Sequence, residues 1–321
     1  MTPQRVDDVC GRELRREIEG SYEVVWGGAR MSGAEVARLA VGSDVLLTGW
    51  GTPHLDRSIW AGADGPRAVA HAAGTVKRLL DREVLDQGVA VFSAASRIAW
   101  SVGEYCLGAM LTLARRLPQL DAAVRAGGWT QPRLRGHELA HRRVGILGAS
   151  STARALITLL APFHCDIAVY DPYLDEERAR RLGVRTTSLE EALSCPVVSV
   201  HVPNLPATEG MVSRTLIDAM PDGAIVVNSS RGPAVDQSAL IEQARAGRLL
   251  AALDVYDSEP PVLDADTLSC PNLLLTPHVA GDTVEGHLAL TGYVMADVAA
   301  WWESGARGPS WVDPAAWSTA A

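Results

Sequence analysis

From residue 143 onward the chain alternates short runs of β-branched and aliphatic residues with stretches of helical period, and few folds accommodate that rhythm. The runs at 143–147, 166–170, 196–202, 223–228, 250–255 and 273–276 are apolar along most of their length, not at every second position. Strands that read this way are buried on both faces, the condition of a parallel sheet covered by helices. The stretches between them carry helix ends. Ser188 with Glu191 predicts a capping box, and the helical run 239–245 stops near Gly247. Alternating strands and helices predict the α/β class, with a doubly wound parallel sheet.

Candidate strands at 22–26, 44–48, 68–72 and 89–92 mark a second, smaller α/β unit in the first hundred residues. Between the two units, residues 101–117 read as a long apolar helix, and the segment from Pro118 to His141, rich in Gly, Trp and Arg, as an extended arm. A helical run at 288–302 is expected to return the tail to the first unit. The length of 321 residues, about twice that of a common domain, agrees with two cores.

Composition narrows the function classes. With 47% hydrophobic and 21% charged residues the chain reads as globular, and a net charge of −9 with dispersed Lys and Arg argues against nucleic acid as a partner. Residues 1–20 are charged throughout and no apolar run has bilayer length, so no membrane association and a cytoplasmic location are expected. The five cysteines lack C-x-x-C spacing, so neither disulfides nor a metal site are expected.

The first chemical signal is Val144-Gly145-Ile146-Leu147-Gly148-Ala149-Ser150-Ser151-Thr152-Ala153, an apolar strand leading into a helix that opens with small residues. Such a turn brings backbone N–H groups and the positive helix end to a pyrophosphate. The pattern is G-x-S-x-x-A: Gly148 and Ala153 fit it, but Ser150 occupies the position of a second glycine. Its hydroxyl could donate to a phosphate, or its bulk could hold the cofactor outward. About twenty residues on, Asp171 ends the next strand, where a carboxylate accepts hydrogen bonds from ribose hydroxyls and repels a 2′-phosphate. Turn and acid together favour NAD (NADH) over NADP. Taken alone, the glycine turn also reads as an ordinary helix N-terminus, and Asp171 as a turn residue before Pro172.

A second group lies at the ends of the later strands: Asn228-Ser229-Ser230-Arg231-Gly232, Leu253-Asp254-Val255-Tyr256-Asp257-Ser258-Glu259-Pro260 and Thr276-Pro277-His278-Val279-Ala280-Gly281. Ligands of doubly wound sheets bind beyond those ends. Arg231 can hold a carboxylate with a bidentate fork. His278 can exchange a proton near neutrality, and a hydrogen bond donated by the imidazole to Glu259 would favour the charged imidazole. Singly, each also reads as a surface charge, a solvated turn or a loop histidine.

These three segments, in this order, resemble the Asn-x-x-Arg-Gly, Leu-Asp-Val-(three residues)-Glu-Pro and Thr-Pro-His elements of the D-isomer-specific 2-hydroxyacid dehydrogenases, a family that includes phosphoglycerate dehydrogenase. His201-Val202-Pro203 with Thr208, Glu104, Trp129 and Trp50-Gly51-Thr52-Pro53 extend the resemblance over nearly the whole chain. It implies a Rossmann cofactor domain at 101–284 and a smaller flavodoxin-like substrate domain at 1–100 and 285–321, with substrate entering between them. Arg231, Glu259 and His278 would be catalytic. Gly148, Ser150, Ser151, Thr152, Asp171, Val202, Pro203, Thr208, Ser229, Ser230, Asp254 and Gly281 would hold NAD, and Ala73, Gly74 and Thr75 with Arg231 would hold the substrate, a small 2-oxo or 2-hydroxy acid. Residues 101–142 would join a homodimer.

Three positions depart from the family pattern: Ser150, Ile98 in place of a frequent Asn, and the loop Ala72-Ala73-Gly74-Thr75-Val76-Lys77, which lacks the usual Asp and in which Lys77 reads as an exposed lysine. Ser150 and the altered first-domain loop motivate one alternative, a non-catalytic NAD-binding or interaction protein; an enzyme repurposed for an unusual acid in a specialised pathway is a second. The intact Arg231, Glu259 and His278 set favours an enzyme.

Overall fold

The computed structural model describes residues 3–28, 30–129 and 134–317. The chain divides into two compact units, Met1–Ile98 with Asp282–Ala321, and Ala99–Gly281.

The smaller unit is built on three parallel strands, β1 (Val45–Thr48), β2 (Ala68–His71) and β3 (Ala90–Ser93), in that spatial order. Neighbouring residues of β2 serve opposite faces, as strand geometry requires. Val69 packs with Val36, Leu80 and Val91, whereas Ala68 and Ala70 pack with Phe92 and with Leu290, Val294 and Val298 of the helix Leu290–Ser304. Alanines on that second face give the helix room to lie close. Phe92 meets Trp301 and Trp311 edge-on, with centroids 6.1 and 5.5 Å away.

Residues 22–26 are not the strand that their composition predicts. They run on from the helix Arg12–Ser21, Trp26 Nε1 donates to Glu19 at 2.7 Å, and Val24 and Trp26 pack with Ile18. A β-branched and aromatic run needs an apolar surface to cover, and here a helix face supplies it.

The larger unit carries seven parallel strands, β4 (Arg143–Leu147), β5 (Asp166–Tyr170), β6 (Arg185–Thr186), β7 (Val197–Val200), β8 (Ile225–Asn228), β9 (Leu250–Leu253) and β10 (Leu273–Leu275), ordered β10-β9-β8-β7-β4-β5-β6. The doubly wound α/β fold expected from the sequence is therefore present, and β6, only two residues long, is the strand that the sequence does not announce. Because β4 pairs with both β5 and β7, the winding reverses there, which opens a crevice at the carboxyl ends of these strands. Gly145 lets the helix Leu189–Leu193 press on β4: a Cβ there would stand 2.0 Å from the Ala192 carbonyl oxygen.

The connecting helix, Ala95–Ala114, begins six residues earlier than predicted because Ser93 Oγ accepts the Ala95 N–H at 3.1 Å. Pro118 opens a further helix, Leu117–Arg125, where composition predicts an extended arm; proline in a first turn forfeits no intrahelical bond. The predicted capping box is half made. Ser188 Oγ accepts the Glu191 N–H at 3.2 Å, but the Glu191 carboxylate binds Arg185 and Thr187. Among the described residues no helix is long and apolar enough to cross a membrane.

Candidate active site

The turn after β4 is shaped by close backbone contact. Gly148 has φ +91°, and a Cβ there would meet the His201 carbonyl oxygen at 2.8 Å, so only glycine fits. Asp171 ties the end of β5 to this turn, its carboxylate accepting from Ala149 N at 2.6 Å and Tyr173 N at 2.7 Å. Ser150 is the N-cap of the helix Ser151–Leu160 with φ −64°, a conformation any residue adopts, and its side chain makes no cap hydrogen bond. The absent second glycine is thus no backbone defect, and the first-turn amides are not covered by a capping side chain.

The Ser150 hydroxyl lies 2.9 Å from Thr152 Oγ1, which lies 2.9 Å from His201 Nδ1; His201 Nε2 lies 2.9 Å from Ser199 Oγ. Ser151 is half-buried at the same helix end. Val202 is buried and Pro203 half-buried, and Thr208 Oγ1 closes their loop by donating to the Pro203 carbonyl at 2.6 Å and accepting from Leu205 N at 3.1 Å.

Beyond β8, Asn228 folds the chain back, donating from Nδ2 to the Arg231 carbonyl at 3.0 Å and accepting from Ser230 N at 3.2 Å. Ser230 donates to the Val202 carbonyl, and Ser229 Oγ lies 3.1 Å from Cys106 Sγ. Arg231 is anchored by Nη1 donating to the Ser230 carbonyl at 2.7 Å. Gly232 brings this loop against the one after β9: a Cβ there would stand 2.0 Å from the Tyr256 carbonyl oxygen.

Asp254 is fully buried and accepts three hydrogen bonds, from Thr276 Oγ1 at 2.6 Å, Val279 N at 2.8 Å and Ala280 N at 2.8 Å. It thereby fixes the loop that carries His278 and leads to half-buried Gly281. Tyr105 OH, 2.6 Å from Thr276 Oγ1, supports the same network, and burial raises its pKa so that it stays a neutral partner. His278 has φ +58°, and its Nδ1 lies 2.7 Å from Glu259 Oε2, while Glu259 Oε1 accepts from Tyr256 N at 3.3 Å. The pair is about half exposed, 51% for His278 and 40% for Glu259, so it is oriented yet open to a reactant.

In the smaller unit Ala73 is buried, and Gly74 and Thr75 are half-buried. Ser93 Oγ donates to the Gly74 carbonyl at 2.5 Å, Ala94 N to the Ala73 carbonyl at 3.1 Å, and Lys77 N to Thr75 Oγ1 at 3.3 Å. Lys77 is half-buried, in contrast to its reading as an exposed lysine, and burial lowers its pKa. Trp50 packs on His287 with ring centroids 4.9 Å apart. Glu104 accepts from Trp100 Nε1 at 2.8 Å, and Trp129 is 89% exposed. Residues 130–133 of the arm assigned to dimerisation lie outside the described residues.

Sequence reasoning gives no role to His201, Ser199, Tyr105, Cys106 or Thr276, all within these networks. His201 and Thr276 belong to legible motifs; the other three carry no local signal.

Two buried histidines make stability depend on pH. Burial lowers the pKa of His71 to about 4 and of His201 to about 3. Between those values and about 6.5 the unfolded chain takes up protons that the folded chain refuses, so each site withdraws stability as pH falls, by about 1.4 kcal/mol per unit. Urea unfolding at pH 7, 6 and 5 should show the decline, and His71→Gln should flatten it. An unchanged slope in that variant would refute the assignment for His71.

Comparison with known proteins places this geometry in a family. A family model described as "D-isomer specific 2-hydroxyacid dehydrogenase, NAD binding domain" matches residues 107–280. The D-3-phosphoglycerate dehydrogenase of Archaeoglobus fulgidus is 31% identical over 246 residues, 76% of this chain and 47% of that protein; its counterpart from Methanocaldococcus jannaschii is 30% identical over 284 residues, 88% of this chain and 53% of that protein. The chain spans about half the length of these curated relatives. A crystal structure of a Thermus thermophilus protein, 27% identical, superposes with a TM-score of 0.75 over 95% of this chain and 97% of that one. A phosphoglycerate oxidoreductase from Rhizobium etli, 24% identical, shares the fold with a TM-score of 0.83 over 96% of this chain and 95% of that one. The turn at Gly148 and the loops after β8, β9 and β10 all fall in or directly beside the matched segment, and the chain belongs to the D-isomer specific 2-hydroxyacid dehydrogenase family.

Proposed function

We propose that this chain is an NAD-dependent oxidoreductase that interconverts a 2-oxo acid and a D-2-hydroxy acid. The observation that carries the reading is the hydrogen-bonded His278–Glu259 pair at the same sheet edge as the Gly148 turn. The turn suits a dinucleotide: Gly148 gives the close backbone approach, Ser150 leaves the first-turn amides uncapped, and each Asp171 oxygen, already accepting one bond, keeps a lone pair for a ribose hydroxyl. Bound NADH supplies the hydride. Arg231 holds the substrate carboxylate by a two-point fork and polarises the neighbouring carbonyl. His278, fixed through Nδ1 by Glu259, delivers a proton from Nε2 to the oxygen that gains charge, and removes it in the reverse direction. Asp254 is too buried to touch a ligand; it acts by holding Thr276, Val279 and Ala280.

In this reading residues 101–284 bind cofactor, residues 1–100 and 285–321 bind the substrate side chain with Ala73, Gly74 and Thr75 at its carboxylate, and exposed Trp129 on the arm belongs to a homodimer contact.

Fluorescence titration with NADH, followed by NADH oxidation against a panel of 2-oxo acids, tests the reading. Binding with turnover is expected. Failure to bind either nicotinamide cofactor, or binding with no turnover on any acid, overturns it. In the same assay Asp171→Ala should narrow the preference for NADH over NADPH, and an unchanged ratio would remove Asp171 from the ribose site.

A further inference from the structure

A continuous polar chain runs beneath the crevice of the larger unit. It starts at the Ser150 hydroxyl in the turn after β4, passes through Thr152 Oγ1, crosses His201 at the end of β7 and reaches Ser199, each step 2.9 Å. Cys106 Sγ lies 3.1 Å from Ser229 Oγ in the loop after β8, and Ser199 acts on the same buried thiol. His201 is the middle member of the polar chain, 2% exposed, and both ring nitrogens are engaged. A neutral imidazole has one donor and one acceptor nitrogen, so these two hydroxyls satisfy it completely. The backbone of His201 serves the turn as well: its N–H donates to the Leu147 carbonyl at 2.8 Å, and its own carbonyl is the group that restricts position 148 to glycine.

We propose that His201 is a positioning residue for the dinucleotide, holding the Thr152 hydroxyl, and through it the Ser150 hydroxyl, in a fixed orientation at the head of the helix Ser151–Leu160. This rests on the dinucleotide reading above. It also gives Ser150 a role: a hydroxyl tied back to Thr152 is drawn along the turn and presents an oriented polar group where a glycine would present none. A free serine rotor and a free threonine rotor at this helix end would have to be ordered by each cofactor molecule that binds, and the imidazole removes that cost beforehand.

The experiment separates positioning from mere core filling. An asparagine amide can reach the place of imidazole Nδ1, and a glutamine amide that of Nε2. His201→Asn therefore keeps the bond to Thr152 and loses the one to Ser199, whereas His201→Gln does the reverse. Both remove a buried ring, so both lower the melting temperature. The NADH dissociation constant should rise about five- to tenfold in His201→Gln and stay near wild type in His201→Asn. Thr152→Val, on a half-buried first helical turn, should weaken NADH to the same degree, and adding His201→Gln to it should cost nothing more. Equal dissociation constants in Asn and Gln variants, whether both unchanged or both weakened, overturn the positioning role while leaving NAD binding intact. A wild-type chain that binds neither nicotinamide dinucleotide overturns the reading beneath it, and this role with it.

Discussion

Replacing His278 by asparagine should lower turnover of the 2-oxo acid that the wild type reduces by about 10²–10⁴ and leave NADH affinity close to wild type. Asparagine is the informative choice because the backbone at this position is left-handed, φ +58°, a region that asparagine enters more readily than alanine does. The variant therefore keeps the loop while removing the group that exchanges a proton. The loop itself is held from behind, since Asp254 accepts the N–H groups of Val279 and Ala280, and neither bond involves the imidazole. Glu259→Gln should fall between the two: the ring can still be held at Nδ1, but the charge that balances a protonated imidazole is gone. Stopped-flow measurement of NADH oxidation with saturating acid gives the step directly. Unaltered turnover in His278→Asn would remove the residue from the chemistry and leave the pair with Glu259 as a loop clasp.

The residues that can be read from the sequence are those whose signal is local. Strands of the larger sheet are buried on both faces, so β4, β5 and β8 stand out as largely apolar runs; the predicted and observed spans coincide for β4 and β5, and β8 begins two residues later than predicted. Residues 22–26 have the same composition and no strand partner, because composition records that a segment must be covered and not what covers it. β6 pairs through two residues and is too short to leave a pattern. Pro118 reads as a breaker of structure, yet its position, two residues into a helix, is one where proline is tolerated.

The site divides in the same way. Arg231, Glu259 and His278 each lie in a short motif with its own chemistry, and the partnership of the last two follows once β9 and β10 are neighbours. What supports them is long-range. Tyr105 meets Thr276 across 171 positions and Cys106 meets Ser229 across 123, distances at which a single sequence holds no trace of the pairing. The family resemblance also implies that Asp254 lines the cofactor, whereas its side chain is buried and spent on the fold's own hydrogen bonds. A carboxylate at the end of a strand looks the same in either role until its donors are known.

Those donors make Asp254→Asn the second large effect. The carboxylate accepts from three directions at once, Thr276 Oγ1 and Val279 N at one oxygen and Ala280 N at the other, with no exposure to water. An amide can reproduce the first oxygen, but its NH₂ must then face the Ala280 N–H 2.8 Å away, donor against donor. Turning the amide over only moves the conflict to the Val279 N–H, because the Thr276 hydroxyl can rotate to accept while a backbone N–H cannot. Leaving a buried donor unsatisfied costs about 1–3 kcal/mol, and removing the charge weakens the bonds that remain, so urea unfolding should show a loss of about 2–4 kcal/mol. The strain falls on the two residues that follow His278, which predicts a drop in turnover beyond what the fraction of unfolded protein explains. Asp254→Ala distinguishes the two contributions: it removes the opposed donor along with the acceptor, so it should be less disruptive to the position of Ala280 while leaving Thr276, Val279 and Ala280 without their partner. If Asp254→Asn retains both wild-type stability and wild-type turnover, the carboxylate does not hold this loop, and the orientation of His278 must come from Glu259 alone.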